Sequence, residues 1–356
     1  MRVSRRARVA LFAALALTAL GLLGATAASA HPSHHAAADG RPRVTLMIGG
    51  ISKIIYSVAT LAGSLGYYDK AGVDVYRIDT PAGIEEADAL VAGQIEGAMG
   101  YYNHTIDLQS KGKSTECVVQ IGLTPGHAIL VPTNSPIHSF ADFKGKTLGI
   151  TGTGSSTDFE LQYAADKAGV SGSQFTRLPV GAGSTFIAAF QHGQIDGGIT
   201  SQPTIQTLVG SGQARILADW QNLAETKKAF GGTWPSTCVY MRTDWVKTHK
   251  NNVQRLVNAV VWTLKWIQSH SAAQIAAKLP SAYVPGGDTN GYVNAWEASR
   301  TFFSADGLMP KDGPPTMLKF LSAFNSTVAN GHINLNQTYT NAFVVKADKT
   351  KVPPAK

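Results

Sequence analysis

Cysteine is nearly absent from this chain: 356 residues contain two, Cys117 and Cys238. That excludes a disulfide-built scaffold. The two thiols either pair in an oxidising compartment or pack as small hydrophobes. Charge is sparse as well, at 15% Asp, Glu, Lys and Arg, and the formal balance of +8 is inflated by one short segment. Arg2, Arg5, Arg6 and Arg8 precede any acid, and without the first thirty residues 27 basic side chains face 23 acidic ones, about +4. A balance that mild excludes a nucleic-acid partner and suits a small acidic ligand without demanding one. Hydrolase signatures are missing too, since neither Gly-x-Ser-x-Gly nor His-Glu-x-x-His occurs. His104, His127 and His192 are separated by loops and read as structural groups or ligand contacts rather than as a general base. The chain is expected to bind and not to catalyse, with no cofactor and no metal.

What the sequence does contain begins with a leader. Four arginines, an apolar run from Val9 to Leu23 and Ala28-Ser29-Ala30 make residues 1–30 a secretory signal peptide cleaved after Ala30. The run is shorter than the roughly 20 apolar residues of a membrane span. Ser4-Arg5-Arg6 hints at the twin-arginine route, although Arg8 stands where that signal has an apolar residue. Neither cysteine stands at the cleavage point, so the exported protein is expected to be free in the periplasm rather than lipid-anchored. "HPSHH" at 31–35 falls in a tail, 31–42, expected to be disordered and solvated rather than metal-binding.

The remaining 326 residues exceed the size at which one core usually keeps growing, which predicts two lobes. From 43 to 100 the pattern reads strand, helix, strand, helix, strand: "RVTLMIGG", "KIIYSVATLAGSLGYY", "DKAGVDVYRI", "GIEEADALVAG", "IEGAMG". The order recurs from "GKTLGI" to "IDGGIT". Two stretches nearly repeat, "ALVAGQIEGAMG" at 89–100 and "AFQHGQIDGGIT" at 189–200. Each is a helix end, a glycine able to take positive φ, and the next strand. The repeated acid, Glu96 or Asp196, reads as a helix-end or turn residue. Such βαβ units force parallel strands. Two linking runs, "HAILVP" and "TCVYMR", predict a crossing to the second lobe and a return, and hence a hinge. The long amphipathic stretch "DWVKTHKNNVQRLVNAVVWTLKWIQSH" is expected to pack on the first lobe. The organisation expected is 43–126 plus 238–345 for lobe 1, 127–237 for lobe 2 and 346–356 as a C-terminal tail.

"GYYDKAGVDV", "ALVAGQIEGAMG", "SPIHSFADFKGKTLGI", "AAFQHGQIDGGIT" and "RTDWVKTHKNNVQRLVNAVVWTLKWI" follow one another in an order that resembles the solute-binding proteins of ABC importers for nitrate, sulfonates and taurine. The same superfamily includes binders of thiamine-precursor pyrimidines. The resemblance covers roughly residues 43 to 345. It implies an α/β fold of the type II periplasmic-binding class, two βαβ lobes joined by a two-strand hinge, working as a monomer that hands a small-molecule solute to an ABC permease in the inner membrane. A ligand sensor for a membrane receptor is the alternative that the same fold serves.

Parallel sheets bind ligands beyond the carboxyl ends of their strands. That predicts Ile51 and Ser52, Tyr101, Tyr102 and Asn103, Gly181, and Ser201 and Gln202 at the cleft, with Trp234 as a lid. "TGTGSSTDF" follows a strand, is rich in glycine and opens a helix at a Ser/Thr cap, so Gly154, Ser155, Ser156 and Thr157 are expected to hold a small organic anion, sulfonate-like or carboxylate-like. The loop lacks the Gly-Lys-Ser/Thr of a nucleotide site. Relatives often carry an aromatic and an acid before the proline matching Pro203, where this chain has Ser201 and Gln202. That weakens the case for an amine-bearing ligand and leaves a neutral heterocycle such as a thiamine-precursor pyrimidine as the alternative solute.

Overall fold

The computed structural model describes residues 40–356, so the leader and the histidine-rich tail lie outside the described residues. Among the described residues ten strands form two five-stranded sheets. The first holds β1 (Arg43–Ile48), β2 (Asp74–Asp79), β3 (Gly97–Tyr101), β4 (Thr115–Gln120) and β10 (Thr237–Arg242) in the order β2-β1-β3-β10-β4. The second holds β5 (His127–Pro132), β6 (Thr147–Ile150), β7 (Thr176–Pro179), β8 (Gly197–Ser201) and β9 (Ala214–Asp219) in the order β7-β6-β8-β5-β9. Within each sheet the βαβ strands run parallel, and the inserted strand, β10 or β5, runs antiparallel to both neighbours. The two sheets are therefore the same figure drawn twice, each completed by a strand that arrives from the other.

The near-repeat now has a physical reason. Gly93 and Gly193 end their helices at φ 74° and 66°. The acid that follows turns back to the neighbouring strand: Glu96 Oε2 accepts from Thr45 N at 2.6 Å and Asp196 Oδ2 from Thr147 N at 2.8 Å. Thr45 belongs to β1 and Thr147 opens β6, so in both lobes the acid ties the start of the central strand, β3 or β8, to its parallel neighbour. It serves the sheet rather than the turn alone.

Three expectations need correction. "KIIYSVATLAGSLGYY" is not one helix, because Gly66 takes φ 71° between Val58–Ser64 and Tyr67–Ala71. The long amphipathic stretch divides at His249 into Thr243–Thr248 and Lys250–Ser269, the longer piece packing on the first lobe as expected. A third tie also joins the lobes besides the two crossings. The Gly313–Ser322 helix places Phe320 against Tyr163, with ring centroids 5.0 Å apart, and Asp312 just before it accepts from Thr233 N at 2.8 Å. The crossings themselves are bonded together, Gly126 N to Trp220 O at 3.1 Å and Ser236 N to Gly122 O at 3.0 Å. Cys117 and Cys238 are both buried and are not joined by a disulfide.

Candidate functional site

The carboxyl ends of the parallel strands of both sheets meet at one seam. In the first sheet β2 and β3 flank β1, so the chain reverses its winding at β1, and the crevice beyond such a switch point is where open sheets hold ligands. Here the rim is Gly49 after β1, Gly83 opening the Gly83–Val91 helix after β2, and Tyr101 to His104 entering the Asn103–Ser110 helix after β3. The second lobe opposes it with the loop before the Ser156–Lys167 helix and the loop before the Ser184–Gln191 helix. The lobes touch directly. Ser156 Oγ donates to Asn103 Oδ1 at 2.7 Å, Ile54 N donates to Gln202 O at 3.1 Å, and the Tyr101 and His127 rings stack 5.3 Å apart and 5° from parallel.

Tyr101 O–H donates to Pro125 O at 2.6 Å, so its oxygen accepts from His127 Nε2 at 3.1 Å. His127 Nδ1 then shares a proton with Glu160, 2.9 Å away, and both residues are buried. Burial raises the Glu160 carboxyl above its usual range, and His127 opposes that rise. Across the seam lies a second group of polar atoms that find no protein partner: both carboxyl oxygens of Glu86, Nε2 of His104, Nδ2 of Asn103, the Tyr240 hydroxyl and Nε1 of Trp234. Burial pushes the Glu86 carboxyl well up, while Lys53 and the Gly49 amide lie near enough to act on it electrostatically. The same burial lowers His104 to about 4 and Lys53 to about 8. Lys53 Nζ donates instead to Gly49 O at 2.6 Å. A cleft of about 670 Å³ opens between Lys53, Ser52 and Pro81 of one lobe and Gly181 to Thr185 of the other, and of the groups just named Lys53 alone lines it.

The predicted residues divide into three sets. Tyr101, Asn103 and Ser156 meet at the seam, and Ser52 and Gly181 line the cleft. Ile51 lies beside them with its amide given to Asp79 Oδ1 at 2.7 Å, and Ser201 is buried opposite His127 in the strand register. The third set differs from expectation. Tyr102 turns away from the cleft and bonds Thr338 Oγ1 within lobe 1. Trp234 is fully buried among Tyr101, Phe230 and Phe320, which makes it a wall of the hinge rather than a lid. Gln202 spends its side chain on Gln221 Oε1 at 2.9 Å and on the Gln206 amide at 3.0 Å. The "TGTGSSTDF" loop is largely satisfied from within. Thr151, Ser155 and Thr157 hydroxyls bond one another, and Gly154 N donates to Asp158 Oδ2 at 2.8 Å, so a carboxylate of the chain itself occupies part of the expected anion position.

The model of the NMT1/THI5-like family matches residues 57–273. The chain belongs to that family. Among curated proteins it is similar to the 4-amino-5-hydroxymethyl-2-methylpyrimidine phosphate synthase of Schizosaccharomyces pombe, 26% identical over 206 residues, which is 56% of this chain and 58% of the relative's length. A solved structure from Bordetella bronchiseptica RB50 is 33% identical and superposes with a TM-score of 0.83, covering 86% of this chain and 97% of that one. The alkanesulfonate-binding protein SsuA of Xanthomonas axonopodis pv. citri, whose structure is bound to MOPS, gives a TM-score of 0.64 at 19% identity over 86% and 97% of the two chains. These likenesses and the sheet orders give a two-lobed type II periplasmic-binding fold. Among the described residues no helix is long and apolar enough to cross a membrane.

In this NMT1/THI5-like chain the groups that sequence reasoning passed over are Lys53, Tyr56, Glu86, Glu160 and Tyr240. Glu86 had a legible signal. In "TPAGIEEADALV" the first acid, Glu85, accepts from Ala82 N at 3.2 Å as a helix-start acid does, and the second falls one residue on, turned into the protein. A buried acid in a helix's first turns beyond a parallel strand is costly unless something meets it.

Proposed function

We propose that this protein is the solute-binding component of an ABC importer, a periplasmic receptor that closes its lobes on a small organic solute and delivers it unaltered to an inner-membrane permease. The observation that carries this reading is the set of unpartnered donors and acceptors at the seam, Glu86, Asn103, His104, Trp234 and Tyr240. A buried polar group without a partner costs about 1–3 kcal/mol, so several together are a standing cost that a bound solute relieves. The family membership and the fold support the same role. The organisation into 43–126 plus 238–345 and 127–237 belongs to this reading, with the 121–126 and 220–236 crossings as the hinge.

The solute is a small organic anion, sulfonate-like or carboxylate-like. Its acidic end faces Lys53 and the Gly181–Thr185 turn rather than the internally bonded 154–157 loop. Tyr56, Tyr101, His104 and Tyr240 supply aromatic walls behind it, ring contacts linking Tyr56 to Tyr101 and His104 to Tyr240. Those walls favour one second reading, a pyrimidine or other flat heterocycle, which the printed name of the fission-yeast relative also suggests. Thermal-shift screening of the mature protein against alkanesulfonates, nitrate, aromatic carboxylates and aminopyrimidines tests the proposal, since ligand that binds only the folded state raises apparent stability. One class raising Tm, with the shift lost in Lys53→Met, is the expected result. A shift given only by neutral pyrimidines removes the anion, and no shift from any class removes the binding role.

A further inference from the structure

The cleft has a third wall that belongs to neither sheet. After the Lys250–Ser269 helix the chain forms a short helix, Ala272–Ala276, and turns through 280–288 before the Thr289–Ala298 helix. That last helix does not stay with the first sheet: it packs on Thr204–Gly210, the helix that follows β8 in the second. The turn reaches the cleft, where Ala282, Tyr283, Pro285 and Gly286 line it beside Lys53 and Thr204. Its shape is fixed locally. Tyr283 N donates to Pro280 O at 2.9 Å and Val284 N to Ser281 O at 3.0 Å, and Gly286 and Gly287 take φ of 60° and 75°, a conformation natural to glycine. Tyr283 and Val284 are half-buried against the main core, and the Tyr283 hydroxyl lies 3.3 Å from Thr60 Oγ1 on the Val58–Ser64 helix. One turn is thus pinned to lobe 1 by a side chain and leads into a helix seated on lobe 2.

Tyr283 is the one aromatic side chain among the described residues that line this cleft. Lys53 is its one cation and Asp79 its one acid, and Asp79 already accepts the Ile51 amide. The rest of the lining is mostly small, with Ile187 the one large aliphatic group. Tyr56, Tyr101, His104 and Tyr240 stand behind the cleft rather than on its surface. Lys53 meets every small acid alike, so discrimination falls to the surface that meets the remainder of the solute. Resting on the solute-binding reading above, we infer that Tyr283 is a specificity-determining residue of the cleft, its ring taking the body of the solute while Lys53 takes the acidic end. The solute so selected carries its acid on a flat, unsaturated ring rather than on a puckered ring or an alkyl chain. Two π systems in offset or edge-to-face contact gain more than the area they bury, whereas a saturated ring gains the area alone.

The test titrates matched acids of equal charge and equal carbon count: benzoate against cyclohexanecarboxylate, and benzenesulfonate against cyclohexanesulfonate. Each is added to the mature wild type, to Tyr283→Phe, and to two variants without the ring, Tyr283→Leu and Tyr283→Gln, and the concentration giving the half-maximal rise in Tm is read. The saturated members are the more apolar, so burial alone favours them. The expected result is the reverse, a flat member acting at a concentration at least about threefold lower than its saturated partner. That preference is kept in Tyr283→Phe and lost in Tyr283→Leu and Tyr283→Gln. Equal or better potency of the saturated members in wild type, or a flat-ring preference that survives in a folded variant without the ring, overturns the inference while leaving solute binding intact. If no probe of either pair shifts wild type, the anion reading of the solute fails and this inference falls with it.

Discussion

His104 and Asp107 lie three positions apart on one buried helix, and the histidine shows how burial converts into pH dependence. Burial holds His104 neutral, lowering it from 6.5 to about 4 against the opposing pull of Asp107 and with the help of Lys111. Between those values the unfolded chain binds a proton that the folded protein refuses. The sign follows: stability from His104 is fully present above pH 6.5 and is lost as pH falls toward 4. Denaturant unfolding of wild type and His104→Gln over that range is expected to show wild type losing ground to the variant as the solution becomes acid. Parallel curves show that His104 is not held neutral. The repeated acids give a second expectation at this scale. Glu96→Ala leaves the part-buried Thr45 amide without its 2.6 Å bond and is expected to cost about 1–3 kcal/mol, measurable by urea titration. Asp196→Ala, at an exposed site, is expected to cost less.

At the level of elements, what the sequence made legible was local. Alternation and glycine stops placed β1, β2, β3 and their counterparts β6, β7, β8, because each is a short run set off by helix ends and glycines, apolar in β1, β3, β6 and β8 and mixed in β2 and β7. Edge strands β4 and β9 escaped notice: "TECVVQ" and "ARILAD" owe their place to pairing with β10 and β5, which arrive from far along the chain. Side-chain direction at the strand-to-helix turn escaped for the same reason. Tyr101 and Tyr102 are adjacent and chemically alike, yet one stacks on His127 across the seam and the other bonds Thr338 behind it. No local pattern separates them. The loop before Ser156 was legible as a helix start, but not the way Asp158, four residues on from Gly154, takes up its amide. The packing of Gly100 against Glu86 is a tertiary fact of the same kind, and a mutant cycle reads it. Gly100→Ala inserts a methyl group where the carboxyl group lies and is expected to cost about 1–3 kcal/mol. Adding Glu86→Ala is expected to return most of that loss, since contacting sites are not additive. Additive costs show that the two do not touch.

For the whole molecule, the two sheets share one strand order and each is completed by a strand from the other, so neither lobe finishes its sheet without the crossings. On the proposed solute-binding role the lobes are expected to move as two bodies about the 121–126 and 220–236 segments, with Asn103–Ser156, Tyr101–His127 and Ile54–Gln202 as the contacts that join them here. Ser156→Ala is expected to weaken solute binding roughly tenfold or less, because one hydrogen bond contributes about 0.5–1.5 kcal/mol. Isothermal titration with whichever compound raises Tm reads that loss. Small-angle X-ray scattering of the mature protein, free and then saturated with that compound, reads the closure itself. A radius of gyration that falls on saturation, with no change in molecular mass, is the expected result. A radius that stays the same while the compound is demonstrably bound rules out two jaws closing on a captured solute.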